Sequence, residues 1–210
     1  MKMKNIAAVA MAGCMAASLA ACGGSASSAA TDASSAASTE AATSEATEAT
    51  GTSANGFTVQ LGSNPETLDP ALNSAIDGAN TLITVFEPLL LIDENNEVIP
   101  GQADLPEVSE DGLTWTFTMK DGLKWSDGSD LTAKDFEYSF KRMANPDTAA
   151  PYAATCLGMI DGFDAAQAGD TDALNVKASD DGKTLTIVLA YPCSYFDKMA
   201  AFAAMSPVQQ

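Results

Sequence analysis

Between Leu113 and Met119 the chain alternates, with Leu113, Trp115, Phe117 and Met119 on one side and Thr114, Thr116 and Thr118 on the other. A period of two predicts a half-buried β-strand. Asp121-Gly122 then supplies a turn, and Leu123 to Trp125 reads as the returning strand. A second hairpin is expected from LNVKAS and TLTIVLA about the turn DDGK, with Leu185, Ile187 and Leu189 sharing a face. After Thr132 the spacing becomes helical, and Phe136, Phe140 and Met143 line one side. Thr132 is placed to cap that helix, with Asp135 in its first turn. Lys141 and Arg142 suit its C-terminal end, and Asn145-Pro146 stops it. Upstream, NTLITVFEPLLL (Asn80 to Leu91) puts Leu82, Val85, Phe86 and Leu89 at helical spacing. Pro88 ends the helix there, and the apolar residues that follow turn to strand through DENNEVIPG. NPETLDPALNSAIDG favours turns, because Asn, Asp and Pro bond or fix their own backbone locally. Phe57 to Leu61 is a short strand, Ala153 to Gly169 a helix broken near Gly158 and Gly162, and the last twenty residues a short helix with an extended exit. Helices mixed with antiparallel hairpins predict a mixed α/β (α+β) fold, not a doubly wound parallel sheet.

The first fifty-odd residues follow a different pattern. Lys2 and Lys4 precede an uncharged run from Ile6 to Ala21, which is the form of an export signal and is short for a membrane span of about 20 residues. The run closes on Leu19-Ala20-Ala21-Cys22, which resembles a bacterial lipobox. That resemblance implies cleavage before Cys22 and diacylation of its thiol. At about 0.8 kcal/mol per buried methylene, two acyl chains hold a soluble domain at a membrane. Beyond Cys22 lies a tract of Ala, Ser, Thr and Glu without aromatic or basic residues. It offers little apolar area to offset the entropy of ordering, so it reads as a tether.

Charge and chemistry narrow the function. The chain has 210 residues and a formal charge of −18 from 10 basic and 28 acidic side chains. Such a surface repels phosphate backbones and excludes nucleic acid as a partner. There is no histidine, the commonest general base and metal ligand near neutral pH. No Gly-rich phosphate loop, nucleophile elbow or CxxC occurs. Asp93 to Asp104 spaces oxygen ligands like a calcium loop, yet Val98 stands where the turning Gly belongs. Neither a metal nor a cofactor is expected. Trp115 and Trp125 are candidates for stacking on a ligand, Trp115 being better placed as core. Cys156 and Cys193 either pair in a disulfide or remain two small buried hydrophobes, and spacing alone does not bring them together.

Three stretches in order resemble the extracytoplasmic solute-binding proteins of oligopeptide and dipeptide import systems, family 5. They are PETLDPALNS…VFEPLLLID, then EDGLTWTFTMKDGLKWSDGSDLTAKDFEYSFKRMANPDTAAPYAA with its KWSDG…LTAKDF core, and VKASDDGKTLTIVLAYPCSYFDKMAAFAAMSPV. One departure is visible: after Pro100-Gly101 the family carries an aromatic before Val-Ser, where Pro106 stands here. The resemblance implies a periplasmic-binding-protein-like fold of two lobes that close on ligand and then dock on the permease subunits of an ABC importer. It implies peptide as ligand, held through main-chain hydrogen bonds with side chains in hydrated pockets. No catalytic residue is required.

On this basis 1–21 is a lipoprotein signal, 22–55 the tether, 56–86 the start of the first lobe and 87–210 a small appended domain. The second lobe is absent, so the chain reads as a fragment or a truncated frame. Ser74, Ala75 and Ile76 match the family segment that approaches bound peptide, and Tyr152 matches an aromatic that lines the pocket. Alternatives are the same fold with a nickel chelate, haem or oligosaccharide as cargo, a surface-anchored hydrolase with a carboxylate pair, or an inactive fragment.

Overall fold

The computed structural model describes Gln60 and residues 62–210. The expected signal, tether and Cys22 lie outside the described residues, as does the expected Phe57–Leu61 strand except for Gln60.

The alternating segments form the centre of the fold. Strands β3 (Glu107–Val108), β4 (Thr114–Thr118), β5 (Val176–Ala178) and β6 (Thr184–Val188) make one antiparallel sheet in the order β3-β4-β6-β5. Its register sets Trp115 opposite Ile187 and Phe117 opposite Leu185, so the apolar side chains of both strands share the buried face. The opposite face carries Thr116 beside Thr186 and Thr118 beside Thr184, a pairing that suits β-branched hydroxyl side chains on a wetter surface. Pro106, which lacks an N–H to donate, immediately precedes the two-residue edge strand β3, where the lost donor is tolerated. β1 (Leu90–Ile92) and β2 (Val98–Pro100) form a separate hairpin.

Helix α2 (Ala133–Ala144) covers the sheet with Phe136, Phe140 and Met143, all essentially buried. Its start is the expected one: the Thr132 side chain accepts from Lys134 N at 3.3 Å, and the Asp135 carboxylate accepts from Thr132 N at 2.7 Å. Helices α3 (Ala153–Leu157) and α4 (Phe163–Gln167) are the two halves of the broken segment. Gly162 between them has φ 81°, and a Cβ there would lie 1.8 Å from Ala173 O, so no other residue fits. α5 (Phe196–Ala200) packs Phe196 edge-on against Trp115, with ring centroids 5.2 Å apart. Trp115 is therefore core, whereas Trp125 is half-buried.

Two expectations need correction. The upstream helix, α1, runs Ile76–Val85: it starts inside the stretch expected to be turns and ends before Phe86. It buries only Gly78 and Leu82, and Val85 is 65% exposed, so the apolar spacing is not a core stripe. Leu89 is fully buried, but from the extended approach to β1. In addition, Leu123–Trp125 does not pair back onto β4. The neighbours of β4 are β3 and the distant β6, and Leu123–Trp125 enters a small loop closed by the Lys124–Asp130 bridge. β6 brings a fully buried Leu185 and Ile187 to that edge, whereas Leu123 and Trp125 are only half-buried.

Candidate functional site: an apolar cavity joining two distant segments

The Leu-Asp-Pro segment is held by its aspartate. Asp69 N donates to Thr67 Oγ1 at 3.1 Å, and Ala71 N donates to Asp69 Oδ1 at 3.0 Å. The N–H groups of Leu72 and Asn73 donate to Asp69 O, each at 3.1 Å. Arg142, from the last turn of α2, clasps the same carboxylate with both terminal nitrogens, Nη1 reaching Oδ1 at 3.0 Å. The hydrogen bonding it donates to Asp69 is the main reason the guanidinium is held above its ordinary pKa, partial burial opposing it. The turn is thereby pinned to the helix that carries the core.

From there the backbone runs extended into α1, with Ala75 at φ −111° and ψ 150°. Asn73 is 7% exposed and donates from Nδ2 to Ala75 O at 3.1 Å. Gly78 makes room for it, since a Cβ there would meet Asn73 Oδ1 at 1.9 Å. α1 has no side-chain cap, and among the described residues no hydrogen bond uses the N–H of Ser74, Ala75 or Ile76.

Tyr152 arrives from the other direction, as the residue that opens α3. Its ring stands perpendicular to that of Phe202, with centroids 5.5 Å apart. A cavity of about 200 Å³ lies between the two segments, lined by Ser74, Ala75, Ile76, Tyr152, Phe202 and Ala203 among others. The four residues expected on a ligand wall are thus brought to one cavity. Phe202 and Asn73 were not singled out by sequence; Arg142 was read only as a charge at the end of its helix, and Asp69 only as part of the PETLDP stretch. Phe202 left only a faint signal, an aromatic set among alanines where helical spacing gives it no core role.

The other candidates lie elsewhere. Cys156 and Cys193 are both buried and both free. Burial pushes the Cys156 thiol up to about 12. The Asp93 carboxylate closes its own turn, accepting from Asn95 N at 2.9 Å and Glu97 N at 2.8 Å. Among the described residues no cluster of three or more His, Cys, Asp or Glu is arranged to hold a metal ion. Asp77, Asp111, Asp127 and Asp181 sit below the usual carboxylate range, chiefly through the hydroxyls of Ser63, Ser109, Ser129 and Ser179. For Asp93 the chief cause is the Glu97 N–H. A general acid requires the opposite direction. No helix among the described residues is long and apolar enough to cross a membrane.

Residues 97–210 match the bacterial extracellular solute-binding proteins, family 5 Middle. The chain belongs to this family. It is 38% identical over 151 residues to the periplasmic oligopeptide-binding protein OppA of Salmonella typhimurium, covering 70% of this chain and 27% of that relative. It is 37% identical over 149 residues to the probable deoxycholate-binding periplasmic protein YgiS of Escherichia coli, covering 70% and 28%. Among solved structures, the Escherichia coli murein tripeptide binding protein MppA superposes with a TM-score of 0.65 at 37% identity, over 69% of this chain and 29% of that one. This family 5 chain therefore spans little more than a quarter of the length of these curated relatives. Its mixed α/β fold is that of the corresponding part of periplasmic binding proteins. The relatives it resembles are solute binders by name, not enzymes.

Proposed function

We propose that this chain supplies one wall of the ligand cleft of a peptide-binding protein that delivers its cargo to an ABC importer. The observation that carries this is the cavity that brings Ser74–Ile76 and Tyr152 together, with Phe202 beside Tyr152. Free N–H groups on an extended segment recognise a peptide main chain whatever its side chains, and the aromatic rings add contact area. In this reading 56–86 begins the first lobe, 87–210 is its appended domain, and closure of a second lobe completes the grip. The protein binds and releases without chemistry. It works outside the cytoplasm, held to the outer face of the cell membrane by acyl chains on Cys22 with 22–55 as spacer.

The test is calorimetric titration of the complete gene product with di- to pentapeptides, deoxycholate, a nickel chelate, haem and an oligosaccharide, with chromatography of the recovered ligand. Saturable peptide binding with the peptide recovered intact is the expected result. Binding of another member of the panel in place of peptide, or recovery of cleavage products, overturns the reading.

A further inference from the structure

The cavity beside Tyr152 has a chemistry at odds with the rest of the chain. Formal charge is −18, yet among the described residues lining the cavity none is Asp, Glu, Lys or Arg. Ile76 is 81% exposed and Phe202 40% exposed, and both line this one cavity. Ala75, Ala203 and Ala204 leave the space between them open. The volume of about 200 Å³ exceeds the ~150 Å³ apolar cavity that takes up a benzene ring in another protein. Phe202 is held from both sides of the chain: its N–H donates to Met199 O at 3.0 Å, and its carbonyl accepts from Met205 N at 2.8 Å. Its ring is further set by the perpendicular contact with Tyr152. It is a fixed wall, not a loose surface aromatic.

We infer that this cavity is a side-chain subsite selecting a bulky uncharged apolar residue of the bound peptide, with Phe202 as the specificity-determining residue. The inference rests on the peptide-binding reading above and goes beyond it by naming the class of side chain. A lysine or aspartate side chain entering here leaves water for walls that offer no opposite charge, so it is rejected by desolvation. A leucine or phenylalanine side chain covers Ile76 and Phe202 and removes their apolar surface from water. Selection at this point contrasts with the hydrated, permissive pockets that the family resemblance implies.

The experiment uses the complete gene product and a peptide set in which each position in turn is Ala, Leu, Phe, Lys or Asp. At one position Leu and Phe are expected to bind about tenfold tighter than Ala, the scale of a filled apolar pocket, and tighter still than Lys or Asp. Phe202→Ala should erase that preference, so that at that position the Leu, Phe and Ala peptides bind the variant within about threefold of one another. Phe202→Leu should keep a preference for Leu and lose that for Phe, and it serves if the alanine variant does not fold. A preference that survives both variants, a uniform loss for all peptides, or no apolar preference at any position overturns the inference. If no peptide binds at all, the peptide reading itself has failed.

Discussion

At the scale of single residues, burial decides most outcomes. Thr132 and Asp135 were readable because capping is local: both partners lie within one turn of α2. Cys156 and Cys193 were not, because whether two thiols meet depends on everything folded between them. Their free, buried state makes a pH prediction. The Cys156 thiol is pushed from its ordinary 9.0 to about 12 by burial alone. Below pH 9 it is neutral in folded and unfolded chains alike, and its contribution is intact. As pH rises from 9 towards 12 the unfolded thiol ionises while the folded one does not, so stability is lost across that window. The urea midpoint of the native protein should therefore fall faster above pH 9 than that of Cys156→Ala. Parallel midpoints from pH 8 to pH 11 would refute it.

Elements were legible in proportion to how local their pairing is. α2 and the β5–β6 hairpin follow from spacing and a short turn, and they form as expected. β4 was recognised as a strand, but its partner β6 is far away in sequence, and the nearer Leu123–Trp125 segment was the wrong choice. α1 shows the limit of apolar periodicity, which marks a face without saying what covers it. Ile83 and Val85, each 65% exposed, would count as core in any helical wheel. The clasp between α2 and the Leu-Asp-Pro turn gives this scale its prediction. Arg142 and Asp69 side chains are about a quarter exposed, so their bidentate pair lies between an exposed ion pair and a buried one. Arg142→Met should cost about 1–2 kcal/mol in urea unfolding. Peptide affinity of the complete gene product should fall as well, because Ser74–Ile76 loses its anchor. Unchanged stability and unchanged affinity would remove the clasp from the account.

For the whole molecule, location and tethering in the proposed reading rest on residues 1–55, which lie outside the described residues. Mass spectrometry of the N-terminal peptide, isolated from membranes of the producing cell, should show Cys22 as the first residue with its thiol diacylated. An unmodified Cys22, or cleavage elsewhere, would detach the domain from the membrane in this account. Cys22→Ala should release the protein to the soluble extracytoplasmic fraction without altering peptide affinity, since every described residue lining the proposed binding cavity lies beyond 69.

The sequence by itself determined the class of fold, the capped core helix, the alternating strands and the two segments that the structure brings to one cavity. Each rests on short-range physics: side-chain period, capping geometry, turn chemistry, or a run of residues that carries a family resemblance. Tertiary structure alone decided that β4 pairs with β6, that Arg142 grips Asp69, that Asn73 fills the space left by Gly78, and that Phe202 lines the same cavity as Ile76. These depend on close approach between residues with no local relation, and a one-dimensional pattern carries no distance between such partners.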